Sequence, residues 1–396
     1  MDVAYKIKLK DHKAIKFTKS KRFRLALQIF LVLIITFNVG NVLWSLKDRY
    51  FSTDYWQRFP ALMKTYLNSQ YVNKHPKGWI PDETVNAYAG GKYIKGENPV
   101  LIAADTPPLG RYLIGLSALA FGNENIVILF SAVLSLILMY VLGRQIFASG
   151  VLSLIPPLLF SFEPIFKNQL IYTPLLDIIQ LVFLLASFIL FNRSLSSKTS
   201  YMYLLSANIM LGCFIATKFF ITGLTIIGAF YLVLLVKKDK NRLWELTLTL
   251  PVSIIILLVS YVRVFAFGYS IHSFLGIQKW VFLYHKSQLI LPFSIWPLIL
   301  FNRWYVWYGN NPVIRDAQWI ISWPLVTLLS ISTFVLGIVR KIKLNENIRV
   351  LIAWIVLYFG FFSFGQITSR YFVILIPVLY IISLYGLIEI YKIYKK

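Results

Sequence analysis

The feature that most constrains this chain is a succession of apolar stretches, all but the shorter 108–122 close to the ~20 residues a helix needs to cross a bilayer. They run over 25–46, 108–122, 124–143, 149–166, 174–192, 201–217, 218–236, 244–266, 318–340, 349–365 and 370–391. In hydrocarbon only helices and closed barrels satisfy every backbone amide and carbonyl, and runs this long and continuous read as helices. The expected fold is therefore all-α, a polytopic transmembrane bundle of about eleven spans. Composition agrees: 58% of residues are hydrophobic and 14% charged, whereas soluble domains carry about 25% charged. A soluble core could not bury so much apolar surface.

The net charge of +24 is one that nucleic-acid-binding proteins also carry, but its placement excludes that class. Nine Lys and Arg fall between Lys6 and Arg24, and others gather at 237–242, 340–343 and 392–396. Each cluster flanks an apolar run, as the positive-inside rule predicts, and each would meet anionic lipid headgroups. The reading is a basic cytoplasmic head over 1–24 and a single transmembrane domain over 25–396. Segments 47–107 and 267–319 are expected outside, with 237–242 and the C-terminus cytoplasmic. The head is not read as a cleavable signal, because a full span follows it without a small-residue cleavage site. Six candidate spans lie between 107 and 237, one too many for this arrangement. Either one is mis-split, or 108–122 does not cross, or the charge rule fails.

Within the first long polar segment, Leu62, Met63, Tyr66, Leu67 and Tyr71 repeat at helical spacing opposite Lys64, Asn68 and Ser69. This predicts a helix over 60–73 lying flat on the membrane. The apolar stretch 287–301 contains Pro292 and Pro297 and reads as re-entrant or interfacial, and the aromatics at 304–308 read as an interfacial belt. Cys213 is the single cysteine and the four histidines lack ligand spacing, so no Cys or His metal site is expected.

Acids are scarce, sixteen in all, so their positions are informative. Asp82 and Glu83 follow Trp79-Ile80-Pro81, and Asp105 stands directly before Thr106-Pro107-Pro108-Leu109-Gly110-Arg111. A carboxylate beside apolar walls at a bilayer surface loses solvation, which raises its proton affinity and suits general-base work. Glu163 and Asp177 lie in or beside apolar spans. There a lone charge is either functional or a helix-end residue reaching water, and Lys218 is a candidate partner for one of them.

The stretch Asp82-Glu83, Tyr88-Ala89-Gly90-Gly91-Lys92-Tyr93, Gly96, Pro99 and Asp105-Thr106-Pro107-Pro108-Leu109-Gly110-Arg111 resembles the first outside loop of GT-C membrane glycosyltransferases. The likeness is strongest to the protein O-mannosyltransferase branch and extends to the aminoarabinose–lipid A transferases. Leu176-Asp177, Gly212 with Thr217-Lys218, and Arg370-Tyr371 with Pro377 resemble further, weaker motifs of that group. Thr106 departs from the pattern, since the mannosyltransferases have His there and the aminoarabinose enzymes Lys. The soluble repeat domain of eukaryotic protein mannosyltransferases finds no counterpart in 267–319, which points to a prokaryotic plasma membrane.

The resemblance implies transfer of a sugar, mannose among the candidates, from a polyprenyl-phosphate carrier to a protein, lipid or glycan hydroxyl on the outer face. Asp82 would be the base, with Glu83 and Asp105 orienting acceptor or sugar. Arg370, Arg111, Lys218 and Tyr371 would meet the donor phosphate, Arg being suited by its planar fork. Some relatives bind a divalent metal near such acids, so a metal at Asp82 and Asp105 stays open. The rival reading is a transporter or lipid flippase. It leaves the long acidic loop unexplained, and the chain lacks the paired repeats common in transporters.

Overall fold

The computed structural model describes residues 21–396 apart from 74, 77, 219, 288–290, 307–309, 311, 366 and 396. Most of the basic head, together with Trp307 and Tyr308 of the aromatic belt, lies outside the described residues. The principal helices are α1 (Lys21–Ser45), α2 (Tyr55–Leu67), α3 (Asp82–Ile94), α4 (Leu109–Phe121), α5 (Ile126–Ile146), α6 (Gly150–Phe162), α7 (Pro164–Ile171) and α8 (Leu176–Ser194). They continue as α9 (Ser200–Thr217), α10 (Gly223–Lys237), α11 (Lys240–Thr249), α12 (Pro251–Ser260), α13 (Ile271–Ser287), α14 (Ser322–Ile338), α15 (Glu346–Ser363) and α16 (Phe372–Tyr394). Among the described residues the only sheet is a ladder pairing Trp304–Tyr305 with Val313–Ile314.

The all-α expectation holds; the count of about eleven spans does not. Among the described residues seven elements are long and apolar enough to cross a membrane, or eight if α6 and α7 form one span bent by 59°. The stretches expected at 108–122, 218–236 and 318–340 are helical as α4, α10 and α14, but fall in the 10–17-residue class. The bend arises at Glu163-Pro164: proline supplies no amide and holds the preceding residue extended, here at φ −59°, ψ 131°. Glu163 is buried at this break and does not reach water. Its carboxylate accepts from Ser322 Oγ (2.6 Å), Trp323 Nε1 (3.0 Å) and the Tyr380 hydroxyl, tying the bend to α14 and α16.

Hydrogen bonds between element ends settle the parity problem. Asn123, just past α4, donates to the carbonyls of Arg49, Tyr50 and Ser52, and Gly122 O accepts from Tyr55 N. Tyr50 in turn donates to Leu170 O at the end of α7, and Asn86 of α3 to Pro174 O. Helix α4 thus starts and finishes at one end of the bundle, where α1, α7 and α8 also have termini. At the other end Asn347 donates to Gln145 O, Arg242 to Ser194 O, Ser200 to Glu245 and Lys237 to Glu346. Five runs therefore connect the two ends between 107 and 237: α5, α6–α7, α8, α9 and α10. With α4 removed the number is odd, and the basic clusters at 237–242 and 340–349 share one end.

In a Cys213→Ser background, Lys64→Cys and Lys240→Cys should react with a membrane-impermeant maleimide from opposite faces. Labelling of both from the same face would show that α4 crosses.

The long first loop is a packed cap. Gly90 and Gly115 let α3 and α4 meet backbone to backbone: a Cβ on Gly115 would stand 2.2 Å from Gly90 O. Helix α2 ends at Leu67, short of 73, and the face expected to meet lipid is divided, with Tyr66 buried and Met63 and Leu67 exposed. Tyr55, Phe59 and Tyr66 are buried against α3, with Phe59 and Tyr66 stacked on Tyr88 at 5.6 and 4.4 Å. Farther along, residues 295–301 form a short helix with Ile295, Leu298 and Ile299 buried, and Trp304 Nε1 donates to Ile367 O. The Trp304 ring is thus fixed to protein as well as available to an interface.

Candidate active site

Four charged side chains, from four elements far apart in sequence, meet at the end of the bundle that carries the α3 cap. Asp82 opens α3, Asp177 opens α8, Lys218 closes α9 and Arg370 precedes α16. Arg370 Nη1 donates to Asp82 Oδ2 at 2.6 Å and its Nη2 to Asp177 Oδ2 at 3.3 Å. Lys218 Nζ donates to the other oxygen of Asp177 at 2.5 Å and lies 5.4 Å from the centre of the Tyr371 ring. Tyr371 is fixed from behind, its carbonyl accepting from Tyr358 OH at 2.9 Å.

Exposure separates the roles within this chain of charges. Asp177 and Lys218 are buried, whereas the Asp82 side chain is 52% exposed. Arg370 spans the two environments. Its Nε is buried and donates to nothing among the described residues, leaving one strong donor available to a ligand. Partial desolvation pushes the Asp82 carboxyl up, but Arg370 and Lys218 outweigh it and hold it below the usual aspartate range. The expectation of raised proton affinity is thereby corrected: with Arg370 beside it, Asp82 is a weaker base than a free aspartate.

Arg111 requires a second correction, since it is not a cation free for phosphate. It is buried, with Nε donating to Asn86 Oδ1 (3.0 Å), Nη1 to Ala103 O (2.7 Å) and Nη2 to Asp105 Oδ1 (3.1 Å). Asn86 sits one turn after Asp82 on α3 and also grips Pro174 O at 3.1 Å, just before Asp177. Arg111 and Asp105 are thus a bolt that sets the angle at which α3 presents Asp82 to α8. Asn86 was missed in the sequence. Its signal was the four-residue spacing from Asp82, which puts both on one helix face.

The three loop acids therefore serve three different places. Asp82 joins the charge chain, Asp105 holds Arg111, and Glu83 lines a separate cleft of about 630 Å³ with Arg49, Arg58, Glu124 and Thr173. Thr106, which replaces the His or Lys expected from the resemblance, has a buried hydroxyl without a partner among the described residues. Asp82 and Asp105 do not fit a shared divalent metal. Each is already matched by an arginine, and Lys218 adds charge that repels a cation. Among the described residues no three His, Cys, Asp or Glu side chains converge as a ligand set.

Residues 105–264 match the sequence profile described as dolichyl-phosphate-mannose-protein mannosyltransferase, less than half of the chain. In overall structure the chain is similar to ArnT from Cupriavidus metallidurans bound to undecaprenyl phosphate, with a TM-score of 0.57 at 16% identity over 84% of this chain and 59% of that one. It is also similar to the archaeal oligosaccharyltransferase AglB from Archaeoglobus fulgidus in complex with an inhibitory peptide and a dolichol-phosphate. That likeness has a TM-score of 0.54 at 14% identity, covering 94% of this chain and 51% of AglB. The chain shares the fold of these two proteins. No curated protein sequence matches it. The chain spans under two thirds of the length of either structural relative. The profile match includes Asp105, Arg111, Asp177 and Lys218. Asp82 and Arg370 lie outside it and join those residues only through the fold.

Proposed function

We propose that this chain is a membrane glycosyltransferase that moves a sugar from a polyprenyl-phosphate carrier to a hydroxyl acceptor. The observation that carries the reading is the contact of half-exposed Asp82 with an arginine and, through Asp177, with a buried lysine. Transfer from a lipid phosphate needs a base for the acceptor and cations for the departing phosphate, within reach of each other. The lipid phosphates bound to the two structural relatives, undecaprenyl phosphate and dolichol-phosphate, support a donor of this kind.

In the reaction we envisage, donor phosphate takes Arg370 from Asp82, engaging Nη1 and the open Nε. Asp82 thereby loses the cation that depresses its basicity at the moment the base is needed. The acceptor hydroxyl gives its proton to Asp82 while its oxygen bonds to the anomeric carbon. The carbon–oxygen bond to phosphate breaks, and its electron pair stays on the phosphate oxygen, where Arg370 and Lys218 neutralise it. Tyr371 contributes the ring beneath Lys218. Mannose, named in the matched profile's description, is the sugar we put first, with a protein, lipid or glycan hydroxyl as acceptor. By the positive-inside rule the basic end of the bundle faces the cytoplasm and this site the outer face, and a prokaryotic plasma membrane is the membrane we propose.

Mass spectrometry of surface glycans and glycoproteins from cells with and without the chain tests transfer; identical profiles would reject it. Arg370→Lys tests the phosphate role. An ammonium cannot hold Asp82, Asp177 and a phosphate together, so the Kd for undecaprenyl phosphate should rise about tenfold or more, the usual cost of losing a charged hydrogen bond. An unchanged Kd would pass the role to Lys218.

A further inference from the structure

At the end of the bundle opposite the charge chain, α10, α14, α15 and the tail of α16 leave a pocket of about 890 Å³. Its walls are apolar and open sideways: Val236 is 65% exposed, Ile338 62% and Val356 43%. Six basic residues stand on its rim against two acids. Both acids are already matched, Glu346 by Lys237 at 2.8 Å and Glu389 by Lys392 at 2.5 Å. Arg340, Lys341, Lys343 and Arg349 are exposed and make no ion pair among the described residues.

The loop that carries three of these four is a built feature. Helix α14 ends by folding back on itself: Arg340 adopts φ +56°, and Lys341 N bonds Leu336 O at 2.9 Å. Arginine is costly in this left-handed position, which normally goes to glycine. Gly337 lets Leu344 lie against the helix end, where a Cβ would stand 2.3 Å from it. Tyr385 of α16 pins the loop from below, donating to Lys343 O at 2.5 Å and accepting from Asn345 N at 3.2 Å.

A basic rim above apolar walls matches one chemical class, an amphiphile with an anionic head. We propose that this pocket is a binding site for an anionic phospholipid. The head phosphate sits among Arg340, Lys341, Lys343 and Arg349, and an acyl chain runs along Val236, Ile338 and Val356. The charge chain around Arg370 lies at the other end of α16. From Arg370 to Lys392 a helix rises about 33 Å at 1.5 Å per residue, roughly the hydrocarbon thickness. The proposal is independent of the transfer reading.

Native mass spectrometry of the full chain with dioleoyl phosphatidylglycerol or dioleoyl phosphatidylcholine tests it. Retained phosphatidylglycerol should exceed phosphatidylcholine, and R340Q/K341Q/K343Q should lower its affinity about ten- to a hundredfold, since each basic group near a lipid surface counts appreciably. A control variant at the far end, Lys47→Gln with Lys64→Gln, should leave binding unchanged. Val356→Trp keeps every charge but fills the acyl path, and should reduce phosphatidylglycerol binding without altering binding of inorganic phosphate. Equal retention of the two lipids, equal loss in the control, or indifference to Val356→Trp would each overturn the proposal. The last would leave a soluble anion or an acidic protein segment as the ligand.

Discussion

Asp82→Asn should lower single-turnover sugar transfer by about 10²–10⁴-fold, the usual range for loss of a general base, while the protein stays folded. The amide retains the shape of the side chain and can still accept from Arg370 Nη1, so the partly exposed contact is weakened rather than emptied. It cannot take up the acceptor's proton. The pH profile separates this role from a structural one. In the free protein Arg370 and Lys218 hold the Asp82 pKa below the ordinary ~3.9. A depressed carboxylate stays ionised as pH falls until its own lowered pKa is reached. The acid limb of kcat/KM should therefore lie below the usual aspartate range. Once donor phosphate draws Arg370 away, the pKa rises, so the acid limb of kcat should lie at higher pH than that of kcat/KM. Coincident limbs would show that Arg370 does not leave Asp82 on donor binding. Near-native turnover in Asp82→Asn would remove it as the base.

The apolar runs were enough to read an all-helical bundle, because hydrocarbon admits few backbone solutions. They did not show which runs cross. Residues 109–121 are apolar but fall short of a span, and the ties from Asn123 and Gly122 back to 49–55 lay that helix along one end. Aromatic periodicity in 60–73 was legible as an amphipathic helix, but periodicity cannot distinguish lipid from a neighbouring protein face such as α3. For the site, Asp82, Lys218 and Arg370 were legible through motif resemblance. Arg111 was misread because an arginine at a helix start looks the same in sequence whether it is open or enclosed. Its burial depends on Asn86 and on the carbonyl of Ala103, a backbone group that sequence does not display. Asp177 is legible as a lone acid opening a span. That it holds two cations depends on α9 and α16 ending beside it.

That arrangement makes Asp177 the residue whose loss should cost the fold most. It is buried and binds Lys218 with one oxygen and Arg370 with the other. Taking charges out of water is expensive, and removing one partner of a buried ion pair typically costs about 3–5 kcal/mol because the other is left uncompensated. Asp177→Ala leaves two cations that have each lost a carboxylate, Arg370 still held by Asp82 and Lys218 deprived of its 2.5 Å ion pair. Denaturant unfolding in detergent should register a loss in this range. Asp177→Ala with Lys218→Met should recover part of it, since the stranded charge is then gone. A stability within about 1 kcal/mol of the parent, the scale of an exposed pair, would show that water reaches these groups. The same variant reports on the phosphate reading without any transfer assay. Inorganic phosphate or undecaprenyl phosphate would restore the missing negative charge, and a ligand that binds only the folded state stabilises it in proportion to its affinity. Either anion should therefore raise the Tm of Asp177→Ala more than that of the parent chain. If neither does, Arg370 and Lys218 are cations placed for the bundle and not for a phosphate.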